Sequence, residues 1–270
     1  MQTCGLCSDR EDRVPRPQDR GARSDAMTDL NVLDLDRLFM CLDFDGTLVE
    51  LADTPLGIDV PEDLPRLLAN LHERLGGRLA IVTGREIATL EGFLPDFPGD
   101  IYGAHGAEAR IAGVRHPHPA VGSPQVEAVQ SEAEALVSAE PGLIVEPKQT
   151  GVVVHYRNAP VLKSKVERKL ADAVRGIDNL ELHASKMAVE VRPIDASKAR
   201  AVERAMAEQP EGIRPLVAGD DVTDEEAMEV AQTMDGICIK VGPGDTIAAH
   251  RLDGPSQMIS LIRTWLGEAA

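Results

Sequence analysis

Two aspartates separated by one residue, Asp43 and Asp45, follow a short apolar segment and could act on the same substrate. That segment, residues 38–42, contains only Leu, Phe, Met and Cys, a composition typical of a strand buried in a parallel sheet. The chain then turns at Gly46. Open α/β sheets bind ligands beyond the carboxyl ends of their strands, so we expect both carboxylates in an active-site crevice.

A second acidic cluster follows the predicted strand 215–218 and contains Asp220, Asp221 and Asp224. Thr223 and Asp224 are good helix N-caps, so capping accounts for Asp224 but leaves Asp220 and Asp221 unexplained. If the two acidic loops meet at neighbouring strand ends, each pair of like charges costs about 4 kcal/mol at roughly 4 Å and an effective dielectric near 20. A cation must offset this repulsion, and hard carboxylate oxygens without converging His or Cys predict Mg²⁺.

Thr83 and Lys198 are candidates for binding a phosphoryl group. Thr83 follows the predicted strand 79–82 at a strand-to-helix turn, where a hydroxyl and backbone N–H groups can bind phosphate oxygens. Lys198 begins a predicted helix, a position where a positive charge opposes the helix dipole. Most lysines are solvated surface residues, and it is the order of Lys198 after Asp43 and Thr83 that sets it apart.

Strands and helices alternate at both ends of the chain, which predicts a parallel sheet. The predicted strands of this part are 38–42, 79–82, 215–218 and 237–241, and the predicted helices are 61–75, one from about 86, 197–208, one from 224, and 256–266. The middle of the chain instead repeats a helix followed by two strands, which is typical of an α+β module with an antiparallel sheet. Its predicted helices are 124–139 and 161–174, and its predicted strands are 143–148, 151–157, 180–183 and 187–191.

These patterns predict an α/β fold with a Rossmann-like parallel-sheet core and an inserted α+β cap domain. We assign residues 31–108 and 191–270 to the catalytic core and residues 109–190 to the cap, which would lie over the catalytic end of the sheet. Residues 1–30 are charged and rich in Pro and Arg, which predicts a disordered tail. The pair Cys4 and Cys7 lacks a second pair at suitable spacing, so we expect no structural zinc site.

Composition favours a small-molecule enzyme. The formal charge of -17 and the pI near 4.8 disfavour a surface for nucleic acid or an anionic membrane, because both require a basic face. The chain has neither an apolar run of membrane-spanning length nor the apolar core of a signal peptide, so we expect a cytoplasmic protein. The sequence leaves the oligomeric state open, and a monomer is one option.

Four segments resemble the motifs of the haloacid-dehalogenase-like phosphohydrolases. They are Asp43-x-Asp45-Gly46-Thr47, Thr83-Gly84-Arg85, Lys198 and Gly219-Asp220-Asp221-x-Thr223-Asp224. Further segments at matching spacing resemble the trehalose-6-phosphate phosphatase family within that superfamily. They are Gly103-x-His105-Gly106-Ala107-Glu108, Glu146-Pro147-Lys148, Val154-His155-Tyr156-Arg157, Lys186, Glu190-x-Arg192-Pro193 and Thr246-x-Ala248. The resemblance covers about residues 34–267, and its small departures, such as Ala199 in place of a frequent glycine, remove no reacting group.

The resemblance implies Mg²⁺-dependent hydrolysis of a sugar phosphate, trehalose 6-phosphate, and a functional pairing with trehalose-6-phosphate synthase through that metabolite. Asp43 would attack phosphorus and form an aspartyl-phosphate, while Asp45 would protonate the leaving sugar and then activate water. Thr83 and Lys198 would bind the phosphoryl oxygens. The metal would be held by the side chains of Asp43 and Asp220 and by the backbone carbonyl of Asp45. Asp221 or Asp224 would contact these ligands without touching the metal, or would act through water.

The resemblance further implies that the cap selects the sugar. The expected substrate-binding residues are Asp43, Phe44, Asp45, Arg85, His105, Gly106, Glu108, Glu146, Lys148, Arg157, Lys186 and Glu190. For each cap residue the alternative is an exposed strand residue in a cross-strand charge pair. Two other functions stay open. One is the same chemistry on another sugar phosphate, such as sucrose phosphate or a mannosyl phosphate, or phosphoryl transfer to a sugar acceptor. The other is a non-catalytic sugar-phosphate sensor. A sensor needs no nucleophile paired with an acid, so Asp43 and Asp45 favour an enzyme.

Overall fold

The computed structural model describes residues 29–52, 54, 57–185 and 187–268. The predictions for Cys4, Cys7, Lys186 and the tail up to residue 28 lie outside these residues. The described part forms an eight-stranded sheet, here called the large sheet, and a four-stranded sheet, the small sheet. None of its helices combines the length and the apolar character that crossing a membrane requires.

The large sheet is parallel over six of its eight strands. In spatial order its strands are β12 (His250–Leu252), β11 (Ile237–Val241), β10 (Arg214–Gly219), β1 (Leu38–Leu42), β2 (Leu79–Val82), β3 (Asp100–Gly103), β4 (Glu108–Ile111) and β5 (Val114–Pro117). Alternate residues of β1 face opposite sides, as strand geometry requires: Met40 packs in one apolar cluster and Cys41 in the other. The central strand is therefore buried on both faces.

Helices cover both faces of the large sheet. The helices with residues in the cluster around Met40 are α1 (Leu64–Arg74), α2 (Ile87–Phe93) and α7 (Pro255–Trp265), and those in the cluster around Cys41 are α5 (Lys198–Met206) and α6 (Val222–Thr233). This arrangement confirms the predicted Rossmann-like α/β core. Leu30 also belongs to it, because the indole N–H of Trp265 donates to its carbonyl at 2.7 Å, so residue 30 of the predicted tail 1–30 is part of the folded core.

The hairpin of β4 and β5 corrects the predicted cap boundary at residue 109. Both strands continue the large sheet, with β4 antiparallel to β3. Ala109 is buried in the cluster around Cys41, and the Arg110 guanidinium donates to the carbonyls of Phe97 at 2.5 Å and Gly99 at 3.0 Å. These contacts attach the hairpin to the core. The separate middle segment therefore begins after Pro117.

The small sheet is antiparallel and lies in the chain between β5 and α5. Its strands, in spatial order, are β6 (Ile144–Lys148), β7 (Gly151–His155), β9 (Ala188–Pro193) and β8 (Leu180–Ser185), and its helices are α3 (Pro124–Ala139) and α4 (Lys163–Ala173). One face, with Val152, Val154 and Val191, packs in the apolar cluster formed with these helices. The alternate residues on the other face include Glu146 and Glu190, so this face is charged.

Candidate active site

Three carboxylates converge at the carboxyl ends of the two central strands. Asp43 directly follows β1 and Asp220 directly follows β10, and these strands are neighbours. Asp224 lies in the first turn of α6. Asp43, Asp220 and Asp224 each present a carboxylate oxygen, and the three oxygens lie within 4.8 Å of one another. The sequence prediction that the two acidic loops meet is therefore correct.

Lys198 lies inside this cluster as a buried ammonium. Its Nζ donates to Asp43 Oδ1 at 2.8 Å and to Asp224 Oδ1 at 2.7 Å. Ser197 caps α5 by accepting from Arg200 N, which places Lys198 as the first residue of the helix. Burial acts to lower the pKa of Lys198, but the two carboxylates outweigh it and raise the pKa above its usual range. The side chain therefore carries a permanent positive charge against Asp43.

The cluster holds more negative charge than Lys198 can compensate. Burial raises the pKa of Asp43 to about 6, although Lys198 opposes the rise. Burial and the neighbouring Asp224 and Asp221 raise the pKa of Asp220 to about 6, and burial and Asp43 raise that of Asp224 to about 8. Each carboxylate thus gains from a proton or from another cation. A hard divalent ion such as Mg²⁺ fits this all-oxygen set.

Gly46 allows the two acidic loops to approach each other. Its backbone has a φ of 74°, in the left-handed region that favours glycine. A Cβ on this residue would lie 2.4 Å from Asp220 Oδ2, closer than atoms can pack. Any other residue would therefore displace the Asp220 carboxylate or the loop after β1. This close approach is a second observation that fits a cation between Asp43 and Asp220.

Asp221 serves as the cap of α6. Its Oδ1 accepts from Thr223 N at 2.8 Å, from Thr223 Oγ1 at 2.7 Å and from Asp224 N at 3.3 Å. Asp224 Oδ2 accepts in return from the backbone N–H groups of Asp220 and Asp221 at 3.1 Å. Burial opposes ionisation of Asp221, but Lys198 and these hydrogen bonds lower its pKa to about 2. The helix therefore begins two residues before the predicted start at Asp224, and Asp221 lies outside the three-carboxylate group.

Two threonines line the same strand ends. Thr83 directly follows β2, is fully buried, and its Oγ1 accepts from Arg85 N at 3.1 Å, so the hydroxyl proton can still be donated to another group. Thr47 Oγ1 donates to Asp43 Oδ2 at 3.3 Å. Sequence reasoning assigned no role to Thr47, although it lies in the Asp-x-Asp-Gly-Thr segment. Each carboxylate oxygen of Asp43 therefore has a hydrogen-bond donor.

Arg85 binds the second aspartate of the pair. Its Nε and Nη2 donate to the two oxygens of Asp45, each at 2.6 Å. The guanidinium also lies 5.0 Å from the ring centroid of Phe93, a distance suited to a cation–π contact. Phe44, expected to bind substrate, has its side chain fully buried in the core, so only its backbone is placed to reach a ligand.

His105 and Gly106 lie next to the start of α5. A Cβ on Gly106 would lie 2.8 Å from the carbonyl of Ser197, so the loop packs directly against the residue before Lys198. Burial, Lys198 and then Arg192 lower the pKa of His105 to about 4, which keeps its imidazole neutral near pH 7. Within the described part of the chain, His105 Nδ1 is buried without a hydrogen-bond partner.

Glu108 is tied to the backbone of α2. Its Oε2 accepts from Ile87 N, the first residue of the helix, at 2.9 Å, and burial raises its pKa. Its Oε1 is buried and has no hydrogen-bond partner among the described residues. Glu108 thus holds the helix that follows the Thr83–Arg85 turn, and its assignment to substrate binding stays a prediction.

The charged face of the small sheet contains the remaining expected residues. Glu146 binds Lys148 and lies 2.9 Å from His155 Nε2, and these hydrogen bonds outweigh burial and lower its pKa. Burial raises the pKa of Glu190. Arg157, beyond β7, is exposed, and its role in substrate binding stays a prediction. Arg192, on the same face, is one of the charges that lower the pKa of His105, so the face lies near the His105 loop.

Comparisons with known proteins agree with this geometry. A family model described as trehalose-phosphatase matches residues 41–256. A probable trehalose-phosphate phosphatase of Sinorhizobium fredii is 36% identical over 212 residues, covering 78% of this chain and 80% of the relative. The trehalose-6-phosphate phosphatase of Escherichia coli is 32% identical over 217 residues, again covering 78% of this chain and 80% of the relative.

A solved structure, a trehalose-6-phosphate phosphatase related protein, aligns with a TM-score of 0.70 and 29% identity, covering 85% of this chain and 98% of that one. The family match spans most of the chain and includes Asp43, Thr83, Lys198 and Asp220. The chain belongs to the trehalose-phosphatase family, whose named relatives are phosphoric monoester hydrolases.

Proposed function

We propose that this protein is a Mg²⁺-dependent phosphatase that hydrolyses trehalose 6-phosphate to trehalose and phosphate through an aspartyl-phosphate on Asp43. One observation carries the proposal. In a chain of this family, the buried Asp43 lies beside Asp220, Asp224 and Lys198 at the ends of the two central strands. The same proposal includes a cytoplasmic role and a pairing with trehalose-6-phosphate synthase through the shared metabolite.

The residues for the metal follow from their contacts. The side chains of Asp43 and Asp220 and the backbone carbonyl of Asp45 would hold Mg²⁺. Asp224 would orient these ligands through the hydrogen bonds that it accepts from Asp220 N and from Lys198. Asp221 keeps its role as the helix cap. When bound, Mg²⁺ neutralises charge on the phosphoryl group and orients it for in-line attack.

The chemical steps use groups that the fold already orients. An oxygen of Asp43 attacks phosphorus as the bond to the sugar oxygen breaks, and Lys198 and Thr83 bind the phosphoryl oxygens. Asp45 donates a proton to the departing sugar oxygen and then accepts one from the water that hydrolyses the aspartyl-phosphate. The bidentate contact with Arg85 holds Asp45 at the strand end, and one Asp45 oxygen must give up its hydrogen bond to Arg85 to carry the proton in these steps. Phosphate-monoester hydrolysis is so slow without a catalyst that these effects must supply on the order of 20 kcal/mol.

We further propose that the small sheet with α3 and α4 is a cap domain that selects the sugar. Glu146, Lys148 and Glu190 offer both acceptors and donors on one face, which suits the hydroxyl groups of a disaccharide. From the large sheet, the unpaired Nδ1 of the neutral His105 can accept from or donate to a further hydroxyl, depending on which ring nitrogen carries the proton. Arg192 on this face lies close enough to the His105 loop to lower the pKa of His105, which supports a substrate site between the two sheets.

Phosphate release from a panel of substrates tests the proposal. The panel contains trehalose 6-phosphate, sucrose 6-phosphate, a mannosyl phosphate, glucose 6-phosphate and p-nitrophenyl phosphate. We expect trehalose 6-phosphate to have the highest kcat/KM, chelation to abolish turnover, and Mg²⁺ to restore it. A higher kcat/KM for another sugar phosphate would replace the substrate assignment, activity after exhaustive chelation would refute the metal, and inactivity on all would favour a sensor.

A further inference from the structure

A second buried lysine, Lys240, lies beside the acidic cluster without a place in the proposed mechanism. It belongs to β11 and pairs in register with Gly219 of β10, the residue before Asp220. The residue is only 3% exposed. Its Nζ donates to the backbone carbonyl of Asp220 and lies 3.8 Å from Glu225 Oε1. Lys240 thus contacts the main chain of a candidate metal ligand.

Stability alone is a weak reason to bury this ammonium. Removing a charge from water costs several kcal/mol, and well-packed apolar residues often replace buried ion pairs without loss. The neighbouring positions in β11, Ile239 and Val241, are fully buried apolar residues. The contact that an apolar residue could not provide is the hydrogen bond to the Asp220 carbonyl.

Glu225 links Lys240 to the loop after β11. Its Oε2 accepts from Ile247 N at 2.9 Å and from Thr246 Oγ1 at 3.2 Å. Thr246 Oγ1 in turn accepts from Ala248 N at 2.9 Å. Glu225 lies in the first turn of α6, next to Asp224, so it holds both the ammonium and the loop 246–248 against the start of this helix.

Two ammonium groups therefore hold the acidic loop at different points. Lys198 binds the Asp224 side chain from α5, and Lys240 binds the Asp220 carbonyl from β11. We propose that Lys240 is a positioning residue that fixes the Asp220 main chain so that its carboxylate faces Asp43 for binding Mg²⁺. This inference rests on the proposed Mg²⁺-dependent function and adds a residue to it.

Loss of the charge and loss of the positioning contact have opposite effects on Mg²⁺ affinity. By Coulomb's law alone, removing a positive charge near the acidic cluster strengthens its attraction for a cation. Releasing the Asp220 main chain weakens the attraction, because the carboxylate no longer faces Asp43. A residue that only stabilises the fold would lower Tm and leave affinity unchanged. The direction of the change in Kd therefore separates the three roles.

Calorimetric titration of the full chain with MgCl₂ tests the inference. We expect the Lys240→Met substitution to raise the Mg²⁺ Kd at least about tenfold, with kcat at saturating Mg²⁺ within a few-fold of the wild-type value. Arg251→Met is the matched control. Arg251 is an exposed residue of the neighbouring β12 whose guanidinium donates to the carbonyls of Gly242 at 2.5 Å and Gly244 at 2.7 Å, away from Asp220. We expect the control to bind Mg²⁺ like the wild type.

An unchanged or lower Kd in Lys240→Met, with normal binding by the wild type, would overturn the positioning role alone. A lack of Mg²⁺ binding by the wild type would overturn the proposed metal use and this inference together. If Lys240→Met does not fold, Lys240→Gln is measured, since its neutral polar side chain suits the buried site but ends one atom short of the Lys240 ammonium and loses the contact with the Asp220 carbonyl. A Kd for Lys240→Gln at or below the wild-type value would equally overturn the inference.

Discussion

The strand ends of the large sheet and the charged face of the small sheet hold their charges in different ways. At the strand ends, Lys198 and Asp43 are almost fully buried and bind each other at 2.8 Å. On the small sheet, the side chains of Glu146 and His155 are 46% and 38% exposed and pair across neighbouring strands. Exposed pairs of this kind contribute roughly 0–1 kcal/mol. Their hydrogen bonds can therefore be exchanged for sugar hydroxyls at little cost.

The difference indicates that the strand ends and the small sheet have different functions. Buried charges at the strand ends are oriented before substrate arrives, which is the arrangement that stabilises charge developing in a transition state. Half-exposed charges on the small sheet are suited to recognition, because solvent weakens their mutual attraction. Substitutions at the strand ends should therefore abolish turnover of every substrate, whereas those on the small sheet should change the choice among substrates.

The largest effect is expected from Asp43→Asn at the strand ends. The amide is isosteric but cannot form the aspartyl-phosphate, so kcat for trehalose 6-phosphate and for p-nitrophenyl phosphate should fall at least about 10³-fold. Tm should stay close to the wild-type value, since the side chain keeps its shape. Asp172→Asn, on the exposed surface of α4, is the control for loss of one carboxylate. Retention of more than a few per cent of activity would rule out this nucleophile.

A smaller and selective effect is expected from Glu146→Ala or Glu190→Ala on the small sheet. Loss of contacts to sugar hydroxyls should lower kcat/KM for trehalose 6-phosphate about 10- to 100-fold, at ~1.4 kcal/mol per decade. Hydrolysis of p-nitrophenyl phosphate should change little, as this substrate lacks the sugar. Glu167→Gln, on the helical side of the same segment, is the control. Equal losses on both substrates would instead indicate a structural role.

Metal-free stability should reveal the crowding of carboxylates at the strand ends. Burial raises the pKa of Asp220 to about 6, so its contribution to stability is complete at low pH and is lost as the pH rises through about 6. Asp220→Asn mimics the protonated form and escapes this loss. In chelator, the Tm of the wild type minus that of Asp220→Asn should therefore decrease between pH 4 and pH 7. Allowing for solvent screening, the change is on the order of 1 kcal/mol, or roughly 2–4 °C.

Subtracting the Tm of Asp220→Asn from that of the wild type at each pH also removes the contribution of His105, which both proteins share. The lowered pKa of His105 acts in the opposite direction, because it makes stability rise with pH over part of the same range. Saturating Mg²⁺ should stabilise the wild type more than the variant at pH 7. A difference in Tm that does not change with pH would show that the Asp220 carboxylate is not crowded in the folded protein.

The smallest effect is expected from Asp221→Asn. Asparagine caps helices as well as aspartate, so the variant should keep its Mg²⁺ requirement and its kcat within about twofold, while its Tm falls because the attraction between the Asp221 carboxylate and Lys198 is lost. Asp220→Asn, one residue earlier, should instead sharply raise the Mg²⁺ concentration needed for half-maximal activity. Titration of activity with Mg²⁺ measures both. A similar increase for the two variants would instead indicate that Asp221 is a metal ligand as well as the cap of α6.

The sequence by itself determined the local elements and the nature of the chemistry. The strand 79–82, the strand 237–241 and the helix 124–139 were predicted with the bounds that the structure has, because apolar periodicity and N-cap or proline signals are local properties of the chain. The order Asp43, Thr83, Lys198, Asp220 was likewise enough to predict a phosphoryl-transfer site. Carboxylates that follow the strands of a parallel sheet lie at the same edge, so a meeting of the two acidic loops was expected, and the pairing of β1 with β10 brings it about.

Only the tertiary structure decided which partners these residues have. The strands β3, β4, β5 and β12 were not predicted, and the assignment of residues 109–117 to the cap was wrong, because short strands with mixed polarity are specified by the edge they join. Arg85 binds Asp45, and Asp221 rather than Asp224 caps α6.

The burial of the two lysines shows the same limit. Lys198 lies 155 residues from Asp43 in the chain, and Lys240 lies 20 residues from Asp220. The helix start at residue 198 and the apolar run around residue 240 are weak local signals, but neither reveals the oxygen acceptors that surround these lysines. An ammonium group is stable inside a protein only where packing brings oxygen acceptors around it, and that environment exists only after the sheet has assembled.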